Sequence, residues 1–164
     1  TYQKHFGVSD EKMTEAMFTA AGIGTVIAER AFIAGATGGC QAEIGSASAM
    51  AAGGLAYLMG GGAEEITHAS AIALKSLLGL VCDPVAGLVE VPCVKRNVIG
   101  AVNAVTSADM AMAGITSRIP PDEVIDAMRT VGMALPCSLR ETGEGGLAAT
   151  ATGVEISKKL ISSF

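Results

Sequence analysis

The chain has 164 residues, 50% of them hydrophobic and only 16% charged, with a mean hydropathy of +0.48. That length carries one domain with a substantial core, and a composition this apolar excludes a disordered chain. A net charge of −5 and an isoelectric point near 5.0 exclude nucleic acid as a partner, since phosphate backbones need a basic stripe.

The sequence opens at Thr1 rather than Met and reads as a processed or excised segment. Its first predicted helix covers 10–30, with Ser9 as N-cap and Lys12 at N3. Met13, Met17, Ala20, Ile23 and Ile27 recur there at helical spacing, while Gly22 and Gly24 weaken the helix and mark close packing. Gly35–Gly39 reads as a loop leading into Cys40 and a second helix over 41–59, which Gly60-Gly61-Gly62 stops. The twenty residues Ile44–Ala63 carry no formal charge and reach membrane-spanning length, but six are Gly and two are Ser. They predict a helix buried in protein, with no membrane partner.

A third helix is expected over 63–80, with Ile66, Ala69, Ile72, Leu77 and Leu80 on one face, before Asp83-Pro84 breaks the chain. A fourth runs over 93–113. Pro120-Pro121-Asp122-Glu123 starts a fifth, whose stripe is Val124, Ile125, Met128 and Val131. Gly143–Gly146 is a loop and 147–160 a last short helix; only Leu88–Val91 hints at a strand. With 28 Ala and 21 Gly letting backbones approach closely, the expectation is a single all-α domain. Its architecture is a compact bundle of about five to six tightly packed Ala/Gly-rich helices.

No secretory signal opens the sequence, so Cys40, Cys82, Cys93 and Cys137 read as thiols in a reducing, cytoplasmic compartment. Cys40 follows Gly38-Gly39 and Cys93 follows Pro92, and each opens a predicted helix. The partial positive charge and free N–H groups of a helix N-terminus favour thiolate there. Cys82 is placed at a helix end, before Asp83-Pro84. Two readings stand side by side: ligation of a metal or cluster, and ordinary buried thiols. Separations of 42 and 11 residues match no local zinc or ferredoxin pattern. Cys137, after Pro136, reads as a plain buried thiol.

Of the two histidines, His68 reads as a partly exposed helical residue and His5 as part of an N-terminal stretch. Lys95-Arg96-Asn97 is either a solvated patch or a carboxylate-binding group. Glu43 suits its helix N-terminus for dipole reasons alone. Arg140-Glu141-Thr142 lines a site or forms a surface turn, and the Gly-rich loop after it lacks the pattern of a phosphate cradle.

Three segments carry a resemblance: Gly39-Cys40-Gln41-Ala42-Glu43-Ile44-Gly45, Cys82-Asp83-Pro84 through Gly87 and Pro92-Cys93 to Arg96-Asn97, and Arg140-Glu141-Thr142 through Gly145-Gly146-Leu147-Ala148. They closely resemble the C-terminal part of the alpha chain of the iron–sulfur-dependent L-serine dehydratases (L-serine ammonia-lyases), and the likeness extends from Thr19 to Ala149. The resemblance implies that Cys40, Cys82 and Cys93 hold a 4Fe-4S cluster. One iron then lacks a protein ligand and serves as Lewis acid on the serine hydroxyl. Removal of the α-proton gives aminoacrylate, whose imine hydrolyses to pyruvate and ammonia without electron transfer. Arg96, Asn97 and Arg140 become the candidates for substrate binding, while no base is assigned.

The same resemblance implies a lyase of amino-acid degradation and gluconeogenesis. Its partners are L-serine and a beta chain or beta domain, in a cytoplasmic oligomer. Some family members end in a Cys that caps the fourth iron; this sequence runs through Val154-Glu155 to Phe164 without one. The family's Thr-Ala-Pro-Thr-Asn-Gly segment and the beta portion's Ser-Ser-Ser-His-Thr motif are also absent, so the 164 residues are expected to be a fragment inactive alone. The rival reading is a non-catalytic helical thiol or zinc-binding module that docks on a partner.

Overall fold

A computed structural model describes residues 2–162. The described residues form eight α-helices and no strand. Six match the expected ones: α2 (Asp10–Arg30), α4 (Ser46–Leu58), α5 (Ala63–Lys75), α6 (Cys93–Met112), α7 (Pro121–Ala134) and α8 (Ala151–Ile161). The count exceeds the five to six expected because two short helices, α1 (Tyr2–Phe6) and α3 (Gly35–Gly38), span only five and four residues. Elements that short carry no hydrophobic period that a sequence could display.

The helix starts follow their local chemistry. The Ser9 hydroxyl accepts from the Lys12 N–H at 3.2 Å and caps α2. At α5 the Glu65 carboxylate accepts from the Gly62 N–H at 2.8 Å, and α7 begins on Pro121 with Asp122 and Glu123 in its first turn. The third expected helix stops early: α5 ends at Lys75 and the chain turns through Leu77–Leu80 to Gly79 at φ 82. Leu88–Val91 is no strand; it forms turns leading to α6.

The central helix is α4, which packs against α2, α5 and α6. Ser46, Ser48, Ala49, Ala52, Gly53, Gly54 and Ala56 are all buried along it, as expected of a helix apolar all round. The buried centre of its contact with α5 and α6 is a cluster of alanines, Ala52, Ala56, Ala69, Ala73, Ala104, Ala108 and Ala111, with Leu55, Met59, Ile66 and Met112 packed around it. Such a seam buries little area per residue, about 0.8 kcal/mol per methyl-sized group. Its strength lies in close backbone approach.

On the other side Ile27, Leu74, Val124, Ile125 and Met128 join α2, α5 and α7 in a larger-side-chain core. A polar clamp crosses the alanine seam. The Ser48 hydroxyl donates to Gly100 O at 2.8 Å, and Asn103 Nδ2 donates to Ser48 Oγ and Ala73 O, both at 2.9 Å. The clamp fixes α6 lengthwise against α4, and so fixes where Cys93 stands.

Gly24 is in close packing, for a Cβ there would lie 2.7 Å from Met50 Sδ, but Gly22 faces open space. Gly53 is the tightest such position in α4, since a Cβ would run into Ile23 Cδ1 and lie 2.7 Å from Ser70 Oγ. Gly22→Ala should therefore stabilise the fold by about 0.5–1 kcal/mol through helix propensity. Gly53→Ala should destabilise it by about 1–3 kcal/mol through overpacking. Urea unfolding of the two variants checks this; the same sign for both would refute the packing described.

Candidate functional site

Cys40 opens a single π-helical turn, Gln41–Gly45, that runs on into α4. The cause is Gln41, a wholly buried amide. Its Nε2 donates to Gly38 O at 3.0 Å and Met128 O at 3.2 Å, while its Oε1 accepts from Gly79 N at 2.8 Å. Its own N–H donates to Leu80 O at 2.9 Å. One side chain thus ties α3, α7 and the turn after α5 together beside Cys40, and a widened helical turn accommodates it. Gly39, at φ 76, leads in; a Cβ there would lie 2.8 Å from Leu80 O.

Cys82 does not stand at a helix end. It occupies an extended stretch in which its N–H donates to Leu139 O at 2.9 Å and its carbonyl accepts from Glu141 N at 2.8 Å. This is an isolated parallel bridge to Arg140. The bridge brings the Arg140-Glu141 segment, far away in sequence, against the Cys82 backbone. Glu141 adopts φ 67, a strained conformation for a non-glycine residue. Cys93 is the first residue of α6, after a cis Val91–Pro92 peptide bond.

Asp83 holds these segments together. Its side chain is 3% exposed and ion-pairs through Oδ1 with Arg96 Nη1 at 2.6 Å, while Oδ2 accepts from Leu147 N at 2.7 Å. Arg96 also donates to Val81 O at 2.8 Å. Gly146, at φ 58, permits the approach, because any Cβ there would collide with Asp83. Breaking a buried pair from one side costs about 3–5 kcal/mol, since the other charge is left without compensation.

Cys40 and Cys82 are buried side by side with Ile44, under Leu77 and Leu80, and Cys93 is half-buried nearby. Burial pushes the Cys82 thiol well above its ordinary range, and the adjoining Cys40 thiol, Glu141 and Cys93 push it further. Burial likewise raises Cys93, followed by the charge of Cys40, with Arg96 pulling the other way. For Arg96, burial penalises the cation, yet the Asp83 hydrogen bond and charge, and then Cys40, hold it above its ordinary value. Gly35 packs closely against the same group. A Cβ there would lie 3.0 Å from Glu43 Oε2, 3.1 Å from Cys82 Sγ and 3.6 Å from Glu141 Oε2.

The three cysteines singled out by sequence are thus brought together, within mutual electrostatic reach, and Cys137 is not. Cys137 is exposed, not buried as expected, because the short turn Cys137–Leu139 after Pro136 buries none of its residues. Asn97 is exposed and bonds back to Cys93 O at 3.0 Å, within its own helix. Arg140 has a buried Nε with no hydrogen-bond partner. His68 accepts from the Ser117 N–H at 3.3 Å, a structural contact, and His5 is exposed on α1. Asp83 and Gln41 were not singled out as functional. The signal available for Asp83 was its place between a candidate ligand and Pro84.

Among the described residues, no three His, Cys, Asp or Glu side chains are arranged to hold a single metal ion. A zinc site needs its donors to meet on one point. An iron–sulfur cluster of the 4Fe-4S type is held by Cys thiolates, each on its own iron. The buried soft donors gathered from three segments, with the Arg96 cation one turn after Cys93, fit such a group. No helix among the described residues is long and apolar enough to cross a membrane.

Residues 1–148 match the family model described as serine dehydratase alpha chain. A probable L-serine dehydratase alpha chain of Bacillus subtilis (strain 168) is 63% identical over 150 residues, covering 92% of this chain and 50% of the relative. The probable L-serine dehydratase alpha chain of Latilactobacillus sakei is 57% identical over 157 residues, 96% of this chain and 75% of the relative. An L-serine dehydratase of Mycobacterium tuberculosis (strain CDC 1551 / Oshkosh) is 46% identical over 143 residues, 87% of this chain and 31% of the relative. The chain thus spans about half the length of the first of these relatives and a smaller share of the last.

Exposure and burial order the thiols by reactivity. In the metal-free chain, brief iodoacetamide treatment at about pH 8 should alkylate Cys137 first, then Cys93, with the buried Cys40 and Cys82 last. Because the Cys82 thiol is held up, raising the pH to about 9 should still leave it largely unmodified. Peptide mass spectrometry reads the order, and Cys82 labelled as fast as Cys137 would contradict the burial described.

Proposed function

The chain belongs to the serine dehydratase alpha chain family, and from that premise we propose that it is the cluster-binding part of a lyase that deaminates L-serine to pyruvate and ammonia. Cys40, Cys82 and Cys93 are the ligands of a 4Fe-4S cluster in this reading. The observation that carries it is the gathering of these three thiols, from three separate segments, into one half-buried group that leaves Cys137 outside. Bound there, the cluster would supply Lewis acidity toward the serine hydroxyl.

The chain's own residues hold and exclude. Leu77, Leu80 and Ile44 keep water from the Cys40 and Cys82 side, which favours tight ligation by thiolates over hydration. The Arg140 Nε, buried without a hydrogen-bond partner, supports Arg140 as a carboxylate-binding donor, since an unpaired N–H gains a charge-assisted bond from an incoming anion. Asn97, exposed one turn after Cys93, is the second substrate-side candidate. Arg96 stands as the third, although its Nη1 is already taken by Asp83 and Val81. No residue among these is assigned as the base that removes the α-proton. That group, with the rest of the substrate site, belongs to further parts of a longer alpha chain and to a beta chain or domain, in an oligomer of the cytoplasm.

Anaerobic reconstitution of the full-length enzyme tests the proposal. It should take up about four iron and four sulfide per alpha chain and form pyruvate from serine. Ser in place of Cys40, Cys82 or Cys93 should abolish the cluster absorbance, whereas Cys137→Ser should keep it. Arg140→Ala should raise KM for serine about 10- to 100-fold, the loss of one charge-assisted hydrogen bond. Equal cluster content in all four cysteine variants would overturn the ligand assignment.

A further inference from the structure

The outer faces of α2 and α6 lack the charges that a solvated helix face carries. Residues 16–28 and 97–108 contain no Asp, Glu, Lys, Arg or His, and neither does α4, against which both helices pack. On α6 the face opposite Gly100 and Ala104 presents Val98, Ile99, Val102 and Val105, each more than half exposed. Val and Ile lose side-chain freedom in a helix, and a helix apolar all round is one that is buried. The central helix shows where the cover lies. It meets α2 through Met50 and Gly54, α6 through Ile44 and Ser48, and α5 through Gly45, which faces Leu74. With about 3.6 residues per turn, Ala47 and Ala51 point into the remaining quadrant, between α2 and α6. Both are exposed, although most of the helix around them is buried. Met17 on α2 and Val98 and Val105 on α6 stand exposed on either side of this slot.

We infer that this slot, floored by Ala47 and Ala51 and walled by α2 and α6, seats an apolar helix from the part of a longer alpha chain that lies outside these 164 residues. The inference rests on membership of the alpha chain family and is independent of the cluster reading. Two observations name the occupant. The matched stretch makes up 50% of the Bacillus subtilis alpha chain, so as much polypeptide again belongs to that subunit. The slot also has the character of an interior: exchangeable interfaces are about as apolar as the rest of a surface and carry a polar rim, whereas 16–28 and 97–108 are uncharged throughout. An alanine floor admits a helix as closely as α5 and α6 already approach the same helix through Ala52 and Ala56. Seated there, the added helix holds α6, which begins at Cys93, from its solvent side. Such a seat is filled as one subunit folds and needs neither a beta chain nor a second copy.

The test uses the full-length alpha chain, with and without its beta chain, carrying Ala51→Cys at the floor or Val105→Cys on the wall. Maleimide labelling of each new thiol, read by peptide mass spectrometry, should be slower by about 100-fold or more than in the same protein unfolded in urea. That protection should already be complete in the alpha chain alone and unchanged by dilution. Fast labelling in the folded alpha chain would overturn the inference. So would protection that appears only with the beta chain, which would make that chain the occupant, or protection lost on dilution, which would make it a second copy. Should the alpha chain or both variants fail to fold alone, a diazirine side chain at position 105 of the assembled enzyme replaces the comparison. A photocrosslink within the same alpha chain, outside the 164 residues, supports the inference; one to another chain, or none, overturns it. The readout needs no cluster, so failure of the cluster reading leaves it intact.

Discussion

The Asp83–Arg96 ion pair is the constraint on which the site depends. Asp83 follows Cys82 directly and Arg96 lies one helical turn after Cys93, and the Leu147 N–H closes the pair from a third segment. The pair adds a buried tie to the exposed contacts between the 83–92 connection and α6, where the Val94 N–H donates to Val89 O at 3.0 Å and Lys95 Nζ to Glu90 O at 2.9 Å. A buried carboxylate that satisfies a guanidinium and a backbone N–H is an expensive device unless every partner is in place. Here the partners come from the Val81–Asp83 stretch, α6 and the Leu147 turn, so the pair forms only when those three pieces are assembled.

The remainder of the fold serves to make that assembly stiff. The alanine-rich centre of the contact between α4, α5 and α6 lets the helices approach closely, and the Ser48–Asn103 clamp removes the sliding freedom that such a smooth seam would leave. Gln41 does the same on the other flank of Cys40. Polar groups at buried positions thus act as registers between surfaces too featureless to register themselves. Specificity from polar contacts and affinity from small-residue packing are divided between different residues.

What was legible in the sequence follows from this division. Long helices with an apolar period and proper starts, such as α2 behind Ser9 and α7 behind Pro121, could be read directly, as could the helix-opening places of Cys40 and Cys93. Cys82 could not be placed, because its extended backbone is set by a single bridge to Arg140, and one bridge leaves no alternating pattern. The π-turn was equally hidden: nothing in Gln41-Ala42-Glu43 announces that the amide will be buried against α7. Cys137 was misjudged because a Pro-Cys pair reads alike in a core turn and a surface turn. Gly22 and Gly24 differ only in what faces them, Met50 in one case and open space in the other. Helix identity is a local property, whereas the geometry of the site is set by tertiary partners.

The central claim is a cluster on Cys40, Cys82 and Cys93 with one iron left to the substrate. Mössbauer spectroscopy of the full-length enzyme reconstituted with iron-57, with and without L-serine, addresses it most directly. Three protein ligands require that serine alter the signal of one iron in four and leave the other three as they were. A spectrum of four irons that serine does not change would contradict the account, as would iron bound without the signature of a cubane cluster.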